Sequence, residues 1–411
     1  MRMTFIIIGL AWKNIWRNQL RSSLILMAIA IGLFAGTFTI AFVTGWGRAT
    51  IESEICNQLS HVQVHTPEFN LNNDISEYFL RDQLSPILDS VAKVNSITYR
   101  LRLNGIIASA NNTIGAFVKG IDVAEETRTS TIHQYVADSL GTFLAGNDRM
   151  QIVISQKVAD KLKVRLKSKL VLSIQDVNGE MQSVAFRVGG IFKTMNSIFD
   201  ESTVFIRSSD IFPYTGLPEG AVHEAAVMVE NVKAGKKLTK ALKQALPDME
   251  VEGWEKLQPA LGLMYAWTDL INVIILSIFL IALSFGIVNT MLMAVLERTK
   301  ELGVLACIGM NKNKIFIMVM LETLFLTIVG SSVGILGAWF VTGYTGTHGI
   351  DLGFLLNANY EDFGFSSIVY PILDPKAFVQ IILLVVVAGI FSAVYPARKA
   401  LKINSWEATK S

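Results

Sequence analysis

Four stretches of this chain, about residues 22–44, 269–296, 315–343 and 376–395, stay apolar for about 20 residues or more, which is what a helix needs to cross a bilayer core. A helix closes its own backbone hydrogen bonds, so each stretch can exist in lipid without a partner. The composition agrees: 51% of residues are apolar, 17% are charged, and mean hydropathy is +0.44. The apolar run 24–43 outlasts the roughly 7–15 residues of a signal-peptide core and lacks a small-residue cleavage site at its end, so it is read as a retained anchor. A net charge of +2 gives no reason to expect a nucleic-acid partner. Cys56 and Cys307 cannot build a disulfide framework, and no redox or metal role follows from them.

The flanks orient the spans. Arg2, Lys13, Arg17 and Arg21 precede the first span without an acid, Arg298, Lys300, Lys312 and Lys314 lie between the second and third, and Arg398, Lys399, Lys402 and Lys410 follow the fourth. By the positive-inside rule these three segments, and both termini, are cytoplasmic. The loop 344–375 has no Lys or Arg but carries Asp351, Glu361, Asp362 and Asp374, so it faces outward, as does the long segment between the first two spans. The expected organisation is an interfacial elbow helix at 1–21, a first span at 22–44 and an outer domain at 45–268. The region 269–411 then holds three spans, a cytoplasmic helix at 297–314 and the short outer loop. The expected fold is an α-helical membrane protein with four transmembrane helices plus a large mixed α+β extracytoplasmic domain.

Within that domain, 61–65 alternates as a half-buried strand, 97–109 and 114–121 read as a hairpin, and 170–174 and 184–188 flank the turn Asp176-Val177-Asn178-Gly179 as a second. Residues 155–162 read as a helix with Ser155 as N-cap; 204–206, 225–229, a helix at 234–246 and a strand at 250–253 give an alternating, bilobed portion. His61 and His65 have HxxxH spacing, yet on a strand their rings stand about 13 Å apart. They and His133 are therefore read as surface or turn histidines rather than zinc ligands. The basic run Lys157, Lys161, Lys163, Arg165, Lys167 and Lys169 is read as one solvated face.

Motifs for a phosphate-binding loop, a nucleophile elbow, a catalytic Cys-His pair or a zinc protease are missing from the sequence, so no catalytic residue and no cofactor is assigned to this chain. Gly330 and Gly334 sit inside the third span at GxxxG spacing, a signal for close helix contact. Between the second and third spans, ERTKELGVLACIGMNKNK is too amphipathic for a plain loop: Leu302, Leu305, Ala306 and Gly309 share one helical face, while Arg298, Lys300, Glu301 and Asn311 ring the others. Such a helix either transmits force from a cytoplasmic partner or only caps the second span. Phe5, Ile8, Trp12, Ile15 and Trp16 give the first 20 residues an interfacial apolar face.

That cytoplasmic stretch resembles the signature of the FtsX-like permease family, the membrane subunits of MacB-type and LolC/LolE-type ABC transporters. Glu297, Arg298, Glu301, Leu302, Gly303, Leu305, Ala306 and Gly309 match the ERxxEIGxLxAxG pattern in kind. The opening Ala11-Trp12-Lys13-Asn14-Ile15-Trp16-Arg17-Asn18, the third-span Glu322, Gly330 and Gly334, and the closing Tyr395-Pro396-Ala397-Arg398-Lys399-Ala400 are similar to the family's as well. The resemblance implies that the loop helix docks on a separate dimeric ATPase, which binds the ATP and Mg, and that a second permease copy or a paralogue completes the assembly. It implies a bacterial inner membrane, a MacB-like periplasmic domain and mechanotransmission. Among members, the unfused 411-residue chain is most like LolC/LolE-type lipoprotein-releasing subunits, with MacB-like efflux of peptides or drugs and FtsX-like regulation of a cell-wall hydrolase as alternatives. Membrane lipids, and a periplasmic lipoprotein chaperone or adaptor, are the remaining expected partners. Phe42, Trp46, Met264, Trp267 and Ile274 would line an apolar vestibule for acyl chains, although interfacial tryptophans are also ordinary anchors. Glu322 is costly in lipid and marks a functional or paired site; the resemblance favours a structural position facing neighbouring helices.

Overall fold

The computed structural model describes residues 2–91, 94–146, 148–194, 196–307, 309–352 and 368–401, so Glu361, Asp362, Lys402 and Lys410 lie outside the described residues, as do the side chains of Phe5, Arg21 and Ala306. Internal contacts separate two compact units, with cuts after Gly47, before Trp267, after Ile350 and before Ile368.

The first unit is helical. Helix α1 (Arg2–Arg17) precedes α2 (Gln19–Glu54), whose last turn continues as a π-helical turn at Ile55–Leu59. Among the described residues, four helices are long and apolar enough to cross a membrane; those at Pro259–Glu297 and Lys312–His348 have 39 and 37 residues, nearly twice what a bilayer core of about 30 Å requires at about 1.5 Å per residue. Ile25, Ile29 and Leu33, spaced by four on α2, are buried with Leu276, Leu280, Leu326, Ile381 and Val385 of the other three helices. Gly330 and Gly334 lie against α2: a Cβ would come within 2.9 Å of the Ile29 side chain at the first and 2.4 Å of the Ala30 carbonyl oxygen at the second. Their spacing thus sets a backbone-to-backbone contact that no larger residue permits. On α1 the covered face is Ile7, Ala11 and Ile15, while Ile8, Trp12 and Trp16 are exposed. The interfacial stripe read from the sequence therefore divides, with Ile15 turned to protein and the tryptophans outward.

The second unit is mixed α and β. Its strands are β1 (Val62–His65), β2 (Phe79–Leu80), β3 (Ser96–Ala108), β4 (Thr113–Ile121), β5 (Val136–Gly141), β6 (Gln151–Ser155), β7 (Lys169–Gln175), β8 (Met181–Phe192), β9 (Thr203–Arg207), β10 (Ala221–Val222), β11 (Glu224–Met228) and β12 (Glu250–Gly253). Ten of these make one sheet in the order β12-β1-β11-β3-β4-β9-β6-β8-β5, with β7 bridging β3 and β8. Its helices are α3 (Phe69–Asn72), α4 (Arg81–Val91), α5 (Val123–Thr129), α6 (Gln156–Leu162), α7 (Ser197–Asp200), α8 (Ser208–Ile211), α9 (Val232–Ala245) and α10 (Trp254–Leu257). The later helices, α11 (Pro259–Glu297), α12 (Thr299–Cys307), α13 (Lys312–His348) and α14 (Pro375–Leu401), complete the chain.

Local chemistry explains these elements. Ser155 caps α6, its hydroxyl accepting from the Val158 amide at 3.0 Å. The β7–β8 turn is held by Asp176, whose carboxylate accepts from the Asn178 and Glu180 amides, and closes through Gly179 at φ +84°. One continuous sheet serves separate cores: Leu101, Leu103, Val118, Val204 and Ile206 in one, and Val62, Val64, Ala225 and Val227 beneath Leu88 and Leu238 in another. Both lie on one face, since Tyr99 of the second and Leu101 of the first stand two apart on β3, while Ile121, Val153 and Phe205 form a third core on the opposite face. The histidine reading also changes: His65 is fully buried, between the His223 carbonyl at 3.1 Å and Gln63 Oε1 at 3.0 Å, and burial pushes its pKa down to about 4. In the basic run, Lys157 and Lys161 pair loosely with Glu201.

Candidate functional site

Helix α11 ends at Glu297, and Arg298 turns the chain into α12. The Arg298 guanidinium donates to Glu301 Oε2 at 3.2 Å and to Glu322 Oε1 of α13 at 2.8 Å, and Arg17 of α1 pairs with the other Glu301 oxygen. Two arginines and two carboxylates thus join α1, α12 and α13 with the turn that follows α11. The Arg17 hydrogen bond, with help from Arg298, holds the Glu301 carboxyl below the usual carboxylate range. Glu322 is 8% exposed, so Arg298 is its charge partner rather than an ornament; the exposed Arg17–Glu301 pair contributes much less.

Leu302 is buried and Leu305 half-buried, both packed with Ile315, Met318 and Val319 of α13 and with Ile7 of α1. Gly303 is buried too. Gly309, at φ +96°, follows the helix, and the Met310 amide reaches back to the Leu305 carbonyl at 3.0 Å. That is a left-handed helix stop, which explains glycine at this position without any ligand. Of the sequence-derived residues, Arg298, Glu301, Leu302, Leu305 and Glu322 are brought together, and Gly330 and Gly334 lie deeper in the bundle. Lys300, Glu301 and Val304, the last 48% exposed, form the outward side of α12.

Phe42 stacks obliquely on Trp46 at 6.5 Å, and Trp267 and Ile274 are 59% and 49% exposed. Met264 belongs to the other unit, where it packs against a cluster of Ile51, Ile55, Leu59, Trp254, Leu257 and Leu261. Trp254, 1% exposed, therefore clamps the end of α2 and its π-helical turn to the start of α11.

A second charged cluster lies in the sheet. Arg100, fully buried, donates to Glu126 at 2.7 and 2.8 Å, to Glu224 at 2.6 Å and to the Gln58 carbonyl at 3.1 Å. Burial opposes its charge, but the two carboxylates keep it fully ionised. Burial would likewise raise Glu224; Arg100, Arg102 and Lys119 instead hold it down at about 2. Gln58 belongs to the π-helical turn after α2, so the network fastens that turn to β3, β11 and α5.

Sequence reasoning missed Arg17, Val304 and Arg100. Nothing in the spacing links residue 17 to 301, and an apolar residue on an amphipathic helix gives no sign of exposure. For Arg100 there was a signal: Arg100, Arg102 and Asn104 alternate with Leu101 and Leu103, which marks a polar sheet face.

Four membrane-length helices with a large α/β domain inserted between the first two define a polytopic membrane protein with a substantial aqueous domain. Residues 22–245 match the MacB-like periplasmic core domain and residues 273–405 the FtsX-like permease C-terminal region, so the chain belongs to the FtsX-like, MacB-type family of ABC transporter permeases. It is similar to the ABC transporter permease MJ1507 of Methanocaldococcus jannaschii, 24% identical over 98% of this chain and 96% of that one. It is also similar to the macrolide export ATP-binding/permease protein MacB of Escherichia coli O157:H7, 23% identical over 97% of this chain, which spans 59% of that longer protein. Among solved structures, the periplasmic region of MacB from Actinobacillus actinomycetemcomitans aligns with 52% of this chain and 98% of its own, at 13% identity and a TM-score of 0.35.

Proposed function

We propose that this permease works with a partner ABC ATPase, which binds ATP and Mg, and that α12 is the surface on which the ATPase acts. The orientation that goes with this reading puts α12 and both termini in the cytoplasm and the sheet domain in the periplasm. The observation that carries it is the Arg17–Glu301–Arg298–Glu322 cluster, which ties α12 to α13 and the end of α11 through Arg298 and, more weakly, to α1 through Arg17. A push on such a helix moves rigid elements rather than a loop. The Trp254 clamp and the Arg100 network, which fix the outer ends of α2 and α11 to the sheet, are the matching parts for receiving that motion.

MacB-like export from the periplasm is the reading favoured by the alignment with MacB over nearly the whole chain. Release of lipoproteins from the inner membrane is supported by an apolar groove of about 270 Å³ between α2 and α11, lined by Ile25, Gly32, Phe279 and Gly286, whose chemistry suits an acyl chain. Both use two permease copies, or this chain and a paralogue, with an adaptor or a lipoprotein chaperone as further partner. A spin label at Met181→Cys, in a chain whose Cys56 and Cys307 are replaced by serine, tests the shared mechanism in the assembled complex. A change of several ångströms in the distance between copies on adding a non-hydrolysable ATP analogue supports it, and an unchanged distance refutes it. Mass spectrometry of bound material separates the two cargoes, triacylated protein favouring release.

A further inference from the structure

One face of the large sheet is apolar core; on the other, the part formed by β12, β1, β11, β3 and β4 presents Glu252, Gln63, Glu224, Arg102, Asn104 and Lys119, while Ile121 and Phe205 of that same face join a separate apolar cluster. A cavity of about 570 Å³ opens on this polar face, between the sheet and the segments around Gln58 and Gln258. Its volume lies in the range of small-molecule sites. Amide side chains, which recognise polar molecules by hydrogen bonding, supply much of its wall, among them Gln63, Asn73 and Asn104.

Two cations face each other there. Arg102 on β3 and Lys119 on β4 are direct cross-strand partners, and both line the cavity. Like charges directly opposite on one sheet face repel. Arg102 is only loosely satisfied: Glu224 accepts at 3.3 Å and Asn73 at 3.4 Å, Glu224 being already engaged by Arg100 at 2.6 Å. Lys119 is 9% exposed, and its ammonium has no hydrogen bond or ion pair among the described residues, only the Phe199 ring at 5.5 Å. Glu54, whose carboxylate senses the Lys119 charge, accepts from Asn196 at 2.6 Å through Oε1, while its buried Oε2 has no hydrogen-bond partner among the described residues; it does not line the cavity and makes no ion pair with Lys119. The other carboxylate in the wall, Glu252, is paired with Lys256. A buried ammonium without an acceptor is costly, and an opposed second cation adds to the cost.

We propose that this cavity binds a small polar molecule through its carboxylate, held between Lys119 and Arg102, with the amide side chains contacting the rest of it. One bound carboxylate supplies the acceptor that Lys119 lacks and relieves its repulsion from Arg102. The shared chemistry is the carboxylate, carried either on a free small acid or on a peptide C-terminus. Nothing in this assignment depends on which cargo the permease moves.

Calorimetric titration of the full chain in detergent with trialanine, trialanine amide and succinate tests it. Saturable binding of trialanine, at least tenfold weaker for the amide, supports a peptide terminus; binding of succinate alone supports a free acid. Lys119→Met, and Lys119→Gln as a second variant, abolish either binding while gel filtration and circular dichroism remain those of wild type. Equal binding of the acid and the amide, unchanged binding by both variants, or no saturable binding of any of the three probes overturns the proposal.

Discussion

Arg298 holds Glu322 at 2.8 Å, so a carboxylate buried in the third long helix is neutralised by the residue that turns the second into α12. Removing the arginine alone strands that carboxylate. Arg298→Gln therefore lowers stability in detergent by about 2–3 kcal/mol, whereas adding Glu322→Gln to it restores part of the loss. Thermal unfolding of the two single variants and the double variant gives the coupling directly. Purely additive losses contradict the pairing.

The glycines of α13 differ in how much they carry. A Cβ at position 334 would stand 2.4 Å from the Ala30 carbonyl oxygen, whereas one at 337 would meet Phe34 at an ordinary 3.5 Å. Gly334→Ala is expected to separate α13 from α2 and to cost about 1–3 kcal/mol, as overpacking does. Gly337→Ala stays near neutral by the same unfolding measurement.

Glu224 accepts from Arg100 and Arg102 while 2% of its side chain is exposed. Glu224→Gln leaves the fully buried Arg100 with one carboxylate fewer, and the expected loss is about 3–5 kcal/mol. Because Arg100 also holds the Gln58 carbonyl, hydrogen exchange should rise at residues 55–59 in this variant. Exchange there that matches wild type would mean the network does not anchor the turn.

Lys119 gives a pH signature. Burial and the neighbouring Arg100 push its pKa down to about 8. Between pH 8 and the ordinary value of about 10.5, the unfolded chain keeps a proton that the folded one has shed, so stability rises with pH over that window, by up to about 3 kcal/mol. Lys119→Met removes this rise and is more stable than wild type at pH 7.5. The difference in unfolding temperature between the two proteins at pH 7.5 and 9.5 measures it.

The sequence disclosed whatever follows from period and length. Alternation placed β3, β4, β7 and β8, Ser155 announced its helix, and Gly330 and Gly334 announced a contact that the structure assigns to Ile29 and Ala30. Contacts between residues far apart in the chain were not disclosed. The partners of Arg298 were open because Glu301 is three residues away and Glu322 twenty-four, and only the packing of α13 brings the second within reach. The hydrophobic stripe of α1 divides because the helix packs Ile7, Ala11 and Ile15 against protein and leaves Trp12 and Trp16 exposed, a division that periodicity alone does not give. His65 looked superficial because a four-residue strand gives no hint of the layer that covers it.

The central claim is that the outward side of α12 receives a partner ATPase, and Val304 tests it better than Glu301. A charge reversal at Glu301 also breaks the pairs with Arg17 and Arg298, whereas Val304 is exposed and its replacement leaves those pairs in place. The tagged chain should be purified from membranes in mild detergent as wild type and as Val304→Arg, and the bound proteins identified by mass spectrometry. Recovery of an ABC ATPase subunit with wild type, and its loss with Val304→Arg at unchanged thermal stability, is the predicted result. Equal recovery with both, or recovery with neither, would contradict the account.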